Sequence, residues 1–167
     1  MTPLALFFLT AAIALAQTQV PENLKPPASE AVVLKAVGKG RQIYSCGVKD
    51  GKFQWTLERP QADLFDARGN RIGRHYKGPT WEANDGSKVV GQLEQQAGAP
   101  HSGAVAWLLL KAKSHAGAGV LSNVTYIQRL NTVGGAAPGA SEGCDKGHTS
   151  AEIAIEYQAD YYFYGKK

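Results

Sequence analysis

The residues best suited to chemistry lie between His75 and Glu82, with a further imidazole at His115. An imidazole titrates near neutral pH and burial can shift a carboxyl group toward it, so His75 and Glu82 could act as acid and base. Together with His115 they could instead hold a divalent metal that activates water. The spacing matches neither H-x-H nor H-E-x-x-H. An acid/base or metal-dependent enzyme using His75, Glu82 and His115 is therefore kept as the alternative hypothesis.

The favoured hypothesis starts from the cations and aromatic rings of the same segment. Arg71 and Arg74 supply positive charge, while Tyr76 and Trp81 supply aromatic faces that suit sugar rings or small anions. Such a site needs no cofactor, and none is expected. The sequence thus predicts a binding module for an extracellular glycan or a small anionic ligand, with a site formed by Arg71, Arg74, His75, Tyr76, Trp81 and Glu82.

Short β-favouring runs separated by turn residues must position these side chains. The strongest signal is Asp50-Gly51, which is followed by alternating apolar positions at Phe53 and Trp55 and predicts a tight hairpin. The Gly38-Lys39-Gly40 segment is interpreted as a turn between two strands. The pattern predicts an all-β fold: an antiparallel β-sandwich or a partly open β-barrel of about nine or ten short strands with long Gly-rich loops.

Aromatic residues cluster near the C-terminus and predict a core strand, because alternate rings can bury area on opposite faces of a sheet. Asp160 interrupts this cluster. Its candidate ion-pair partner is Arg129, which lies in the similarly amphipathic segment 124–131. A structural role is therefore expected for both residues.

The first residues and the cysteines indicate an exported protein. Residues 1–16 have the apolar core and small terminal residues of a signal peptide, with cleavage expected between Ala16 and Gln17. Residues 17–29 are interpreted as an extended Pro-containing arm and residues 30–167 as a single β domain. In a secreted or periplasmic protein, the two cysteines predict one disulfide between Cys46 and Cys144.

Charge and hydropathy limit the classes of partner that the sequence predicts. The net charge of +4 comes from Lys and Arg residues spread along the chain, whereas nucleic-acid binding requires basic residues clustered on one face. No nucleic-acid partner is therefore expected. No later apolar run approaches the length that spans a bilayer, so no membrane span is expected either. Nothing in the sequence sets the oligomeric state.

Several segments carry a resemblance to a known family. They are 42–46 (QIYSC), 75–82 (HYKGPTWE), 107–110 (WLLL), 114–115 (SH), 125–132 (TYIQRLNT) and 159–164 (ADYYFY). In this order they resemble a family of secreted bacterial and fungal proteins catalogued as a domain of unknown function. The resemblance implies no activity or site residues. Some members are labelled malate dehydrogenase. That label is rejected for this chain, because a chain of this length and strand pattern has no room for a dinucleotide domain plus a substrate domain.

Overall fold

The computed structural model describes residues 19–139 and 142–167, and nearly all of its regular structure is β-sheet. The strands are β1 (Glu30–Lys49), β2 (Lys52–Phe65), β3 (Arg71–Tyr76), β4 (Thr80–Ala83), β5 (Lys88–Ala97), β6 (Trp107–Ala116), β7 (Tyr126–Gly134) and β8 (Glu152–Lys166). Two short 3₁₀ helices, Glu22–Leu24 and Lys146–His148, accompany them. No helix in this part of the chain has the length and apolarity needed to cross a membrane. The predicted signal peptide and the cleavage site at Ala16 and Gln17 lie outside the described residues.

The strands form one antiparallel sheet that closes on itself. Each strand pairs with the next along the chain, and β8 returns to β1, from Glu30 opposite Lys166 to Ser45 opposite Glu152. The predicted all-β, antiparallel class is confirmed. An eight-stranded barrel encloses a space that side chains can just fill or that can hold one small ligand. The width of the interior is therefore set by the number of strands.

The barrel wall has a window beside its two shortest strands. β3 contacts β2 only along Ala62–Phe65, and β4 contacts β5 only along Lys88–Val90. Beyond the β3–β4 turn, the facing edges of β2 and β5 have no strand between them among the described residues. Pro60 lies on this edge of β2, where a residue without an N–H is tolerated. We call this gap the side window.

Two expected strands are one long strand in the structure. The Gly38-Lys39-Gly40 segment does not turn but continues β1, which lowers by one the number of strands expected from the sequence. A Cβ atom on Gly38 would lie 2.6 Å from the Tyr161 ring, and one on Gly40 would collide with the backbone of β2. The glycines therefore serve close packing inside the barrel, where a turn was predicted. The hairpin at Asp50-Gly51 is confirmed, with φ of 52° and 75° at its two residues.

One end of the barrel is plugged by the loop between β6 and β7. Leu121 and Val124 of this loop are buried in the main core together with Trp81, Tyr161 and Phe163. The β4–β5 turn holds the loop in place, because Asp85 Oδ2 accepts a hydrogen bond of 2.8 Å from the Val120 N–H. We call this the plugged end. The β3–β4 turn, and with it the side window, lies toward the opposite end.

The segment predicted as an extended arm packs on the outside of the barrel. Leu24 is fully buried against Trp107, Leu109 and Leu130 in a second apolar cluster. The Gln128 side chain donates a hydrogen bond of 2.6 Å to the Leu24 carbonyl oxygen. This cluster lies outside the barrel wall and is separate from the interior core.

The predicted disulfide is confirmed between Cys46 and Cys144, whose Cα atoms are 5.3 Å apart. It ties the end of β1 to the connection between β7 and β8 across a sequence separation of 98 residues. A closed loop of about 100 residues stabilises a fold by roughly 4 to 5 kcal/mol in chain-entropy models. That is a large fraction of a typical stability of about 5 to 15 kcal/mol.

The packing role of Gly38 can be tested with Gly38→Ala. The added methyl group meets the buried Tyr161 ring, so we expect the free energy of unfolding to fall by about 1 to 3 kcal/mol. Gly47→Ala is the matched control in the same strand, because no heavy atom lies within 4 Å of its added Cβ. Urea unfolding of both variants measures the difference. Equal stability of the two variants would contradict the packing role.

Candidate functional site

The barrel wall divides the residues predicted to form one site. His75 and Trp81 are opposite each other on β3 and β4, and both are buried on the interior face. Arg74 and Glu82 form the neighbouring cross-strand pair. Because side chains alternate along a strand, this pair faces outward together with Tyr76. The structure thus yields an inner and an outer group rather than one cluster.

The outer group is a network whose charges are already paired. Glu82 accepts hydrogen bonds from the Tyr76 hydroxyl at 2.7 Å and from Arg74 Nη2 at 3.0 Å. The Tyr76 hydrogen bond and the nearby cations lower the pKa of the Glu82 carboxyl. Arg71 lies apart from this network, and its Nε donates to Asp63 at 2.6 Å. A surface groove of about 480 Å³ lies beside Arg71, Arg74 and Tyr76. Ligand binding in this groove stays a prediction.

The alternative set of His75, Glu82 and His115 is not assembled. His75 faces inward and Glu82 outward, while His115 lies on β6, three strands from β3, at about 4.8 Å per strand. The His115 Nε2 atom lies 2.7 Å from the Val124 carbonyl oxygen, near the plugged end. Residues 19–139 and 142–167 contain no group of three His, Cys, Asp or Glu side chains placed to hold a metal ion.

His75 is a neutral imidazole held between aromatic rings. It stacks on Trp81 with 4.2 Å between ring centroids and 9° between planes, and the Tyr161 ring meets it edge-on. Its Nδ1 lies 2.9 Å from the Thr80 carbonyl oxygen, which can only accept, so Nδ1–H is the donor. Burial is the main cause that lowers the pKa of His75 to about 3, the charge of Arg129 adds to it, and the hydrogen bond to Thr80 opposes it. His75 therefore carries no charge at neutral pH.

A cavity of about 240 Å³ opens from this ring cluster toward the side window. Its inner wall carries polar or aromatic side chains from five different strands, and Leu108 and Leu110 of β6 line the cavity as well. The five are Gln42, His75, Trp81, Arg129 and Tyr161. Its outer part is formed by β2, β5 and the β3–β4 turn. The cavity thus joins the two inward residues predicted from the sequence to three others that the sequence analysis did not select.

Two residues that line this cavity each carry a buried donor without a partner. Gln42 and Trp81 are each 1% exposed. Gln42 Nε2 and Trp81 Nε1 make no hydrogen bond to any described residue. A buried polar group without a partner costs about 1 to 3 kcal/mol, and most such groups in folded proteins are satisfied. Two of them in one cavity need an explanation.

Arg129 brings a positive charge to the same cavity. It forms no ion pair with the carboxylates of the described residues. The predicted pair with Asp160 is wrong, because Asp160 is on the other face of its strand and accepts from Asn131 Nδ2 at 2.8 Å. Arg129 Nε and Nη2 instead donate to the Ala106 carbonyl oxygen at 3.1 and 2.8 Å. Its guanidinium also lies within hydrogen-bonding reach of the Tyr161 hydroxyl in the cavity wall.

Two tyrosines extend the donor set. The hydroxyl oxygens of Tyr157 and Tyr161 are 3.2 Å apart in the core. Burial raises the pKa of both phenols, and the positive charge of Arg129 opposes the rise. Both hydroxyls therefore stay protonated at neutral pH. Tyr161 lines the cavity, and its hydroxyl can donate to a ligand there when the Tyr157 hydroxyl is the donor of the pair.

Comparisons with known proteins give a family but no activity. Residues 27–165 match the model of the family described as "Protein of unknown function (DUF3455)", which confirms the resemblance to a domain of unknown function. Signal-induced proliferation-associated protein 1 of Homo sapiens is 32% identical over 84 residues. Those residues are 47% of this chain, which spans 8% of the length of that protein. No solved structure matches the chain.

The burial of His75 predicts a pH dependence of stability. In the unfolded chain an imidazole takes up a proton near pH 6.5, while folded His75 does so only near pH 3. Between these values the unfolded state binds the extra proton, so stability falls as the pH falls, by up to about 1.4 kcal/mol per pH unit. The effect is absent above about pH 6.5.

Urea unfolding at pH 6.5 and pH 4.5 measures this effect against His75→Gln. We expect the wild-type protein to lose about 2 to 3 kcal/mol more than His75→Gln over this interval. His101→Gln, at an exposed loop position, should keep the wild-type dependence. Parallel curves for the wild-type protein and His75→Gln would show that His75 is not held neutral.

Proposed function

This chain belongs to the DUF3455 family, whose description states no activity, and we propose that the protein is a binding module for a small organic anion held inside the barrel. The observation that supports this most is the pair of orphaned buried donors, Gln42 Nε2 and Trp81 Nε1, beside the unpaired Arg129. A ligand that carries acceptors and negative charge satisfies all three. The anionic ligand predicted from the sequence is thus kept, while its site moves to the interior.

The hydrogen-bonding balance of the cavity favours an acceptor ligand. A buried donor without an acceptor costs about 1 to 3 kcal/mol, and an oxygen atom of a ligand that accepts from it recovers that free energy. The Tyr161 hydroxyl adds a third neutral donor to the wall. A ligand made of donors only would leave Gln42 Nε2 and Trp81 Nε1 unsatisfied.

Electrostatics favours a negative ligand. The partly buried Arg129 influences the pKa values of Tyr44, His75, Tyr157 and Tyr161, and desolvation is the larger cause in each case. A charge in a poorly hydrated interior is stabilised by a partner of opposite sign. The carboxylate that lines the cavity, Glu58, lies on β2 and accepts a hydrogen bond from the Ser45 hydroxyl at 2.7 Å. It forms no ion pair with Arg129.

The size of the cavity limits the ligand to a small molecule. Its volume is about 240 Å³, whereas sites for drug-sized ligands measure about 300 to 1,000 Å³. An engineered apolar cavity of about 150 Å³ is large enough to hold benzene. A single ring or a short chain with one acidic group therefore fits, and a glycan longer than one sugar does not.

We also propose that the protein acts outside the cytoplasm. The disulfide supports this, because such bonds persist in secreted and periplasmic proteins and are rare in reducing compartments. Intact-mass analysis of the protein exported by its native host tests the proposal. We expect a chain that begins at Gln17 and contains no free thiol. Recovery of the full-length, reduced chain from the cytoplasm would contradict it.

Calorimetric titration with benzoate tests the binding proposal. We expect saturable binding to the wild-type protein with a stoichiometry of one, and a loss of at least about tenfold in affinity for Arg129→Gln, because hydrogen bonds to charged groups contribute about 1.5 to 3 kcal/mol. Arg68→Gln is the matched control, since Arg68 is exposed in the β2–β3 turn. Its affinity for benzoate should equal that of the wild-type protein.

A second variant separates binding from folding, because Arg129 also holds the Ala106 carbonyl group. Gln42→Leu replaces an orphaned amide by an apolar group of similar size, so we expect unchanged or increased stability together with weaker benzoate binding. No saturable benzoate binding to the wild-type protein would overturn the proposal. Equal affinities of the wild-type protein and folded Gln42→Leu would do the same for the placement of the site.

A further inference from the structure

The outer part of the cavity differs in chemistry from its inner wall. Leu57 of β2 and Leu93 of β5 are 50% and 51% exposed, and both line the cavity. Single exposed apolar residues are common on proteins, but apolar residues gathered at an opening mark a binding surface. These two lie on the strand edges that frame the side window. Pro60 and Pro79 line the same opening.

The unpartnered donors of the cavity thus belong to buried residues of its inner wall, whereas its exposed leucines lie at the window. At the inner wall, Gln42, Trp81 and Tyr161 are almost fully buried and present donors beside Arg129. At the window, the leucines and prolines present hydrocarbon to solvent, and the charged Glu58 and Arg59 of the same opening are engaged by Ser45 and Glu152. A ligand that complements both parts has an acceptor group at one end and an apolar body at the other.

We infer that the ligand is an amphipathic monocarboxylate that enters through the side window with its carboxylate first. This inference rests on the proposed function and adds the class and orientation of the ligand. One guanidinium without an ion-pair partner matches one negative charge, and the planar fork of Arg129 suits a planar carboxylate. The apolar body of the ligand then covers Leu57 and Leu93, whose exposed area leaves water on binding.

The volume sets the length of the apolar body. A cavity of about 240 Å³ corresponds to about eight water-sized groups at roughly 30 Å³ each. A straight-chain acid of about six to eight carbon atoms therefore fills it, and further methylene groups extend into solvent. Affinity should rise with chain length up to this point and then level off.

Calorimetric titration of the full protein with acetate, butanoate, hexanoate, octanoate and decanoate tests the inference. We expect the affinity to rise by up to about fourfold per methylene group, the equivalent of about 0.8 kcal/mol of buried CH₂, and to level off near octanoate. Hexan-1-ol serves as the uncharged probe of similar length. It should bind at least about tenfold more weakly than hexanoate, because it cannot pair with Arg129.

Two variants locate the apolar body. Leu57→Ser combined with Leu93→Ser should reduce the gain per methylene group at the long end of the series while leaving butanoate affinity within about twofold of the wild-type value. Val48→Ser is the matched control, because Val48 is 61% exposed and does not line the cavity. It should reproduce the wild-type series. Both leucines are half exposed, so these changes spare the core.

The outcomes distinguish failure of this inference alone from failure of the proposed function. Binding of short carboxylates that requires Gln42 and Arg129 but does not strengthen with chain length would overturn the amphipathic ligand and leave the proposed function standing. Absence of binding by every acid would overturn both. Equal affinity for hexan-1-ol and hexanoate would overturn the carboxylate-first orientation.

Discussion

The pairing of β1 with β8 is the constraint on which the rest of the structure depends. It converts a meander of eight strands into a closed wall and fixes the interior at a width that side chains nearly fill. The large rings of Trp81, Tyr161 and Phe163 occupy that interior, and Gly38 leaves room for one of them. The β1–β8 pairing also places Gln42 of β1 within reach of residues on β7 and β8.

The two shortest strands determine where the interior meets solvent. β3 and β4 have only six and four residues, so they cover the plugged end and leave β2 and β5 unpaired on one side. The wall is consequently closed around the ring cluster and open beside it. Polar groups at the inner end of this opening lie where water is scarce and an unpaired charge or donor is expensive. The same geometry that excludes water gives a bound anion a strong interaction.

The sequence predicted much of the fold because its signals are local. The Asp50-Gly51 hairpin, the all-β class and the Cys46–Cys144 disulfide follow from turn chemistry, alternation and cysteine number. The Gly38–Gly40 segment was misinterpreted as a turn, because a glycine that admits an aromatic ring from a strand more than a hundred residues away has the same local signal.

The site was harder to predict, because its members meet only after the ring closes. Strand alternation alone separates the inward His75 and Trp81 from the outward Arg74 and Glu82, and it could have divided the predicted set. Gln42, Arg129 and Tyr161 lie on β1, β7 and β8. A polar residue at an inward position of each strand is the only local signal that they carry. Their convergence depends on long-range register, which composition and spacing do not contain.

The central claim is that the orphaned donor of Trp81 faces a ligand site. The chain has three tryptophans, so ¹H–¹⁵N spectra during a hexanoate titration resolve three indole N–H signals. Trp107 is the internal control, because its Nε1 is also buried without a partner but lies in the outer cluster, whereas Trp55 Nε1 donates to the Glu142 carbonyl oxygen. The account predicts a saturating shift of the Trp81 signal while the other two stay in place. A Trp81 signal that does not move at saturating hexanoate, or that moves no more than that of Trp107, would contradict it.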